Sequence, residues 1–198
     1  MKKLSQKEID SHLSSLEGWK ESDNILCITY KLSSFMEVMS FANLVSDRSE
    51  NIDLVVIHCI SLPEGSFDND NPKKLFLNEL DLVNDSSFKS LEGLKVSAHI
   101  LIERNGSIVQ FVAFNKCAWH AGKSTYEGRD SCNEFSIGIE LKGSVKKEFT
   151  NEQYCALNEL LALLKKEYGD MDVVGHSEIA PNRKNDPGPY FKWDLINA

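Results

Sequence analysis

Residues 54–57, Leu-Val-Val-Ile, form a short continuous apolar run. A strand with one wet face alternates polar and apolar residues, so an unbroken run of this length belongs in the middle of a sheet, covered on both sides. Two other segments read as short strands, "FSIGIEL" at 135–141 and "DVVGH" at 172–176. Between the apolar run and these two segments, "VSAHILIERNGSIVQFVAF" holds two alternating runs around Asn105-Gly106, a strong signal for an antiparallel hairpin. Buried strands and a hairpin interleaved with helical segments predict an α/β fold: a mixed central β-sheet flanked by helices.

The clearest helix covers 150–169. Thr150 and Gln153 make a capping box, Tyr154, Leu157, Leu160, Leu161, Leu164 and Tyr168 line one face, and Gly169 supplies the stop. A shorter helix is expected over 73–83. Ahead of the apolar run, residues 3–17 show helical spacing and 24–32 read as a strand. "SSFMEVMSFANLVSD" repeats Phe35, Val38, Met39, Ala42 and Val45 on one face, a second helix. The division expected is a helix–strand–helix segment over 1–50 and a main domain over 51–198. The loop "KCAWHAGKSTYEGRDSCNE" is too long to be idle in a compact domain and is a candidate functional wall.

A net charge of −8 argues against nucleic acid or an anionic membrane as the main partner, because such a surface repels phosphate. No apolar run approaches the roughly 18 residues needed to cross a bilayer. The opening "MKKLSQKEIDSHLSSLEGW" lacks the apolar core and cleavage site of a secretion signal, so a cytoplasmic location is expected. Five cysteines, odd in number and with no C-x-x-C pair, fit reduced and mostly buried thiols.

Chemistry concentrates in "GHSEIAPNRKNDPGP", 175–189, where His176, Lys184 and Asp186 share a segment stiffened by Pro181, Pro187 and Pro189. With His58, which follows the apolar run, His176 and Asp186 make the donor set of a catalytic zinc that keeps one position open. Glu140, within "SIGIEL", falls on the opposite strand face from Ile139 and Leu141. A glutamate desolvated there takes a proton from water more readily. Lys184 is placed to offset charge on an oxyanion, and Trp119 and His120 to line a groove for a polar ligand with apolar faces, such as a sugar. Pattern alone leaves the plainer readings open: satisfied, partly buried histidines, a solvated Glu140, a surface lysine, and loop packing for Trp119 and His120. His99 reads as structural or as support for a ligand, and His12 as solvated.

The segments "LVVIHCISLPEG", "LKVSAHILIERNGSIVQFVAFNKCAWHAG", "CNEFSIGIELKG" and "GHSEIAPNRKNDPGPYFKW" resemble the AmpD-type N-acetylmuramoyl-L-alanine amidases, zinc enzymes of the amidase-2 group related in fold to peptidoglycan-recognition proteins. The likeness spans about residues 53–194. It implies zinc at His58, His176 and Asp186, Glu140 as catalytic acid/base and Lys184 as electrophilic stabiliser. The implied substrate is the lactyl–L-alanine amide of N-acetylmuramyl or 1,6-anhydro-N-acetylmuramyl peptides, in cytoplasmic peptidoglycan recycling. It also implies substrate contacts at Cys59, Lys95, Trp119, His120, Arg129 and Asn133. Three positions depart from the family pattern: Cys59 replaces the usual Asn, Ser131 a frequent basic residue, and Lys95 a common Arg. These touch substrate affinity rather than the metal donors.

The first fifty residues are similar instead to the start of pterin-4a-carbinolamine dehydratases, with the L-x-G-W block and a phenylalanine-bearing helix. That family's histidine pair is missing, since the chain continues "RSENIDLVV". The expectation is no dehydratase activity, and a role in packing or self-association. The competing functions are a non-catalytic muropeptide-binding module, which the complete donor set opposes, and a dehydratase-like or dimerisation role resting on the N-terminal segment alone.

Overall fold

The computed structural model describes residues 19–22, 25–28, 52–81, 86–91 and 96–197. The chain divides into two compact units, Met1–Val45 and Ser46–Ala198. In the first, β1 (Trp19–Ser22) pairs antiparallel with β2 (Ile25–Ile28), Trp19 opposite Ile28. The helices expected over 3–17 and from Ser33 onward lie outside the described residues, as do His12 and Lys95.

The second unit is built on a five-stranded mixed sheet. Its strands are β3 (Leu54–Ile60), β4 (Ile100–Ile102), β5 (Ile108–Gln110), β8 (Ser136–Lys142) and β9 (Asp172–Gly175), in the order β5-β4-β8-β3-β9. Only β4–β5 is antiparallel; β4–β8, β8–β3 and β3–β9 are parallel. The apolar run therefore sits on an inner strand, and Leu54, Val55, Val56 and Ile57 are fully buried. All seven residues of β8 are buried as well, as expected of a parallel strand covered on both faces. The Asn105-Gly106 hairpin forms, with Gly106 at φ 82° and its N–H donating to Glu103 O at 2.9 Å. A small ribbon, β6 (Thr125–Tyr126) with β7 (Arg129–Asp130), occupies the long loop.

Helix α2 (Asn151–Tyr168) has the expected cap: Gln153 N–H donates to Thr150 Oγ1 and Thr150 N–H to Gln153 Oε1. Its buried stripe includes Leu157, Leu160, Leu161 and Leu164. Two expectations need correction. The helix sought over 73–83 is α1, Asn71–Phe76. Pro72 suits its first turn, and Asn78, left-handed at φ 59°, ends the helical path just beyond it. Of the four described cysteines, all free, only Cys132 is buried; Cys59 is partly exposed, and Cys117 and Cys155 are exposed. Cys155 falls outside the leucine stripe of α2.

Candidate active site

Parallel pairing sets the site. His58 on β3 is the register partner of Glu140 on β8, so both side chains leave the same face of the sheet side by side. His176 opens the one-turn helix α3 (His176–Ile179) directly after β9, the other neighbour of β3. The proline-rich loop then returns: Ser177 N–H donates to Asp186 O at 3.0 Å, anchoring the Asp186 backbone. Gly175 permits this return, because a Cβ there would lie 2.8 Å from Pro187 Cδ.

Three donor atoms converge. His58 Nδ1 lies 2.9 Å from His176 Nδ1 and 3.1 Å from Asp186 Oδ2, and His176 Nδ1 lies 3.0 Å from the same oxygen. These three residues form a group able to hold a metal ion. The His176 Nε2–H donates to Ala121 O at 3.1 Å, which leaves Nδ1 as a lone pair facing Asp186. Two acceptors thus face each other in a buried place, and a cation satisfies both. The donor chemistry, two imidazole nitrogens and a carboxylate, suits zinc.

Electrostatics follow from burial. Burial dominates at His58 and, with His176 helping, pushes its pKa down to about 4 against the pull of Asp186; the ring is neutral at pH 7. Burial works against ionisation of Asp186, yet the His176 and His58 rings set against its Oδ2 hold its pKa well below the ordinary carboxylate range. Burial, reinforced by the negative charge of Asp186 and opposed by Lys184, drives Glu140 well above its ordinary value. Glu140 is 9 % exposed and its Oε2 has no hydrogen-bond partner. An ionisable oxygen buried without a partner costs stability and marks a group kept for something other than packing.

An open cavity of about 570 Å³ lies over these groups, and His58, Glu140, His176, Lys184 and Asp186 all line it. Cys59 and Trp119 line it too, the indole 63 % exposed. Burial, then Glu140 and Asp186, push the Cys59 thiol far up, so it stays protonated. Leu62, Leu75, Phe76 and Val96 supply an apolar wall.

Other sequence-predicted substrate contacts are placed differently. His120 lines the cavity but is bonded inward, its Nδ1 2.9 Å from His58 Nε2. Asn133 is buried, and its Oδ1 accepts the N–H groups of His120 and Ala121 at 3.1 and 2.8 Å. Arg129 is absent from the cavity lining. Its guanidinium makes a bidentate pair with Asp53 at 2.8 and 2.9 Å and covers the Phe135 ring at 4.0 Å. His99 is held by backbone on both sides, Nδ1 accepting from Gly138 N–H and Nε2–H donating to Lys116 O. Sequence reasoning passed over Arg183, which lines the cavity and donates to Ala121 O and Lys123 O, tying the two site loops together. Beyond its place beside Lys184, nothing in the sequence distinguishes it.

Comparison with known proteins gives the family. The family described as N-acetylmuramoyl-L-alanine amidase matches residues 48–189, and the pterin 4 alpha carbinolamine dehydratase family matches residues 2–57. The 1,6-anhydro-N-acetylmuramyl-L-alanine amidase AmpD of Haemophilus influenzae is 47% identical over 148 residues, 73% of this chain and 80% of the relative. The Escherichia coli protein of the same name is 47% identical over 146 residues, 73% of this chain and 80% of its own. A crystal structure of a selenomethionine AmpD derivative superposes with a TM-score of 0.72 at 44% identity, covering 74% of this chain and 86% of that one. The Escherichia coli amidase AmiD, in complex with anhydro-N-acetylmuramic acid-L-Ala-D-gamma-Glu-L-Lys, matches at a TM-score of 0.54 and 29% identity, over 92% of this chain and 67% of that one. From sheet register to donor triad, then, this chain is a member of the N-acetylmuramoyl-L-alanine amidase family, of the AmpD type.

Proposed function

We propose that this protein is a zinc-dependent amidase that hydrolyses the bond between the lactyl group of 1,6-anhydro-N-acetylmuramic acid and L-alanine, in cytoplasmic peptidoglycan recycling. The observation that carries the proposal is the meeting of the His58, His176 and Asp186 donor atoms within 3.1 Å beneath a cavity that Glu140, with its unpartnered Oε2, also lines. The AmpD relatives carry this activity in their names, which supports the substrate class. Among the described residues no helix is long and apolar enough to cross a membrane.

His58, His176 and Asp186 would hold the ion, which when bound supplies Lewis acidity toward the scissile carbonyl and an attacking water. Glu140 takes one proton from that water as its oxygen adds to the lactyl carbonyl carbon. The raised proton affinity of Glu140 suits the second half of the cycle, when it hands the proton to the alanine nitrogen and the C–N bond breaks. The water's second proton leaves the new carboxyl group and is taken up by the freed amine, so the products are a lactyl carboxylate on the sugar and a peptide with a protonated amino terminus. The Lys184 ammonium, on the same cavity, offsets charge on the carbonyl oxygen while carbon is tetrahedral. The exposed Trp119 face is a stacking platform for the sugar, and the wall near Leu75 and Phe76 takes the apolar parts of the peptide.

The two-unit division at Val45/Ser46 supports our assignment of the chemistry to the second unit; residues 1–50 we assign as an appendage without dehydratase activity, for packing or self-association. Mass analysis of products from anhydro-muropeptide and from intact peptidoglycan, with and without a chelator, tests the function. Release of peptide from the anhydro substrate, abolished by chelation, is expected. Binding without cleavage would replace the amidase by a muropeptide-binding module.

A further inference from the structure

The chain "AWHAG" reads as a wall of the substrate groove, yet its two central residues turn inward to the two histidines. Ala121 O accepts from His176 Nε2–H, and the His120 ring meets His58. The direction of the second bond follows from proton accounting. The Ser136 hydroxyl donates to Cys132 O, so Ser136 Oγ has only a lone pair to offer His120 Nε2, 3.4 Å away. His120 therefore carries its proton on Nε2 and presents Nδ1 as an acceptor. His58 then has its proton on Nε2, donated to His120, and its Nδ1 is a bare lone pair toward His176 and Asp186.

We propose that His120, held by Ser136 and Asn133, is a positioning residue that fixes the tautomer of His58 and so keeps the metal-binding nitrogen free. The inference rests on the reading that His58, His176 and Asp186 hold zinc. Without His120, the His58 proton gains by moving to Nδ1, where Asp186 Oδ2 at 3.1 Å accepts it and the site closes on itself. Asn133 sets the loop by accepting both backbone N–H groups of 120 and 121, so one amide side chain orients the partners of both histidines. Gly138 completes the cradle: a Cβ there would stand 2.3 Å from His120 Cγ, so only glycine leaves the ring room against β8. This shell is how a histidine ligand is held in register and in the correct tautomer.

The test pairs zinc affinity, by chelator competition, with the tautomer of His58 in the metal-free protein, by long-range 15N–1H NMR. The unsubstituted protein should bind one zinc and show His58 protonated at Nε2. His120→Phe keeps an aromatic ring over Gly138 but offers no acceptor; zinc affinity should fall about 10- to 100-fold and the Nδ1–H form of His58 should appear. His120→Asn puts a carbonyl oxygen near the lost Nδ1 and should restore much of both. Ser136→Ala, a milder change that tests the chain of bonds if His120→Phe does not fold, should weaken zinc less and mix the tautomers. Unchanged zinc affinity and an unchanged His58 tautomer in His120→Phe and Ser136→Ala, or Nδ1–H His58 in the unsubstituted protein, would overturn the proposal while zinc binding itself stands. An unsubstituted protein that takes up no zinc would remove the ligand assignment, and this inference with it.

Discussion

Within three residues strand β8 meets two buried polar side chains, its own Glu140 and Gln153 of α2, and they are treated in opposite ways. At its end, Lys142 O is one of two carbonyls, with Ile102 O, that receive the Gln153 amide of α2. The other side of that amide, Oε1, accepts from Arg104 and the Thr150 N–H. Gln153 is fully buried with every polar atom used. Two residues earlier on the strand, Glu140 is buried with Oε2 unused. Satisfied burial ties a helix to a sheet, whereas unsatisfied burial raises proton affinity and holds it at the cavity. Burial alone does not separate a structural from a chemical polar group; the state of its hydrogen bonds does.

The sharpest way to break that contrast is Glu140→Gln, which removes the ionisable group at nearly constant shape. Activity on anhydro-muropeptide should fall about 10²- to 10⁴-fold, the range of a lost general acid/base, with zinc content unchanged. Near-native turnover would dissolve the contrast. Stability should move the other way. Because burial raises the Glu140 pKa, the folded state binds its proton more tightly than the unfolded chain does. Its contribution is full below the ordinary carboxylate value and is lost as pH rises through the raised one. After chelation, Glu140→Gln should therefore unfold at a higher temperature than the parent at pH 8, the gap closing as pH falls toward about 4. A parent as stable as the variant at pH 8 would show that the carboxylate is not strained.

Asp186→Ala extends the comparison to the donor triad. It leaves His58 and His176 with Nδ1 atoms 2.9 Å apart and no carboxylate between them. Zinc content after dialysis should drop to a small fraction of the parent, with activity following it; full loading would remove Asp186 from the ligand set. On the satisfied side, Gln153→Ala takes a donor from two carbonyls, Ile102 O and Lys142 O, and removes the side-chain half of the α2 capping box. It should cost about 1–3 kcal/mol, a fall of roughly 2–4 °C in Tm per kcal/mol for a chain of this size. The kcat and KM of the surviving folded protein should stay at parent values. A stable variant with altered kcat would mean that the amide serves the site rather than the scaffold.

Much of this was legible in the chain because it is local. The unbroken Leu54–Ile57 run, the Asn105-Gly106 turn and the Thr150/Gln153 capping box each declare themselves within a few residues, and all appear in the structure. The donor set is different in kind. His58 and His176 lie 118 positions apart, and only the parallel register of β3 with β8 and β9 gathers His58, Glu140 and His176. Family resemblance could name those residues; periodicity could not. Least legible were side chains in the long loop. Asn133 and His120 carry polar groups that suit a ligand as well as a neighbour, and the choice depends on which atoms the folded loop brings within 3 Å. Helix α1 ended early for a similar reason, since the left-handed Asn78 is a backbone choice that leaves no mark on hydrophobic spacing.

Arg129 gives the smallest and most discriminating test of that last point. Family resemblance assigns it to substrate, whereas the structure spends its guanidinium on Asp53 and the face of Phe135, away from the cavity lining. An arginine that bound a peptide carboxylate would raise KM sharply when removed. One that clasps the β6–β7 ribbon to the start of β3 should leave kcat and KM unchanged on truncation and register only as a slight loss of thermal stability, since exposed ion pairs contribute little. Steady-state kinetics of Arg129→Ala on anhydro-muropeptide separates the two. The stability loss should also shrink in the Asp53→Ala background, where the clasp is already open, because two halves of one interaction cannot be lost twice. A several-fold rise in KM, undiminished in that background, would move Arg129 back to the substrate.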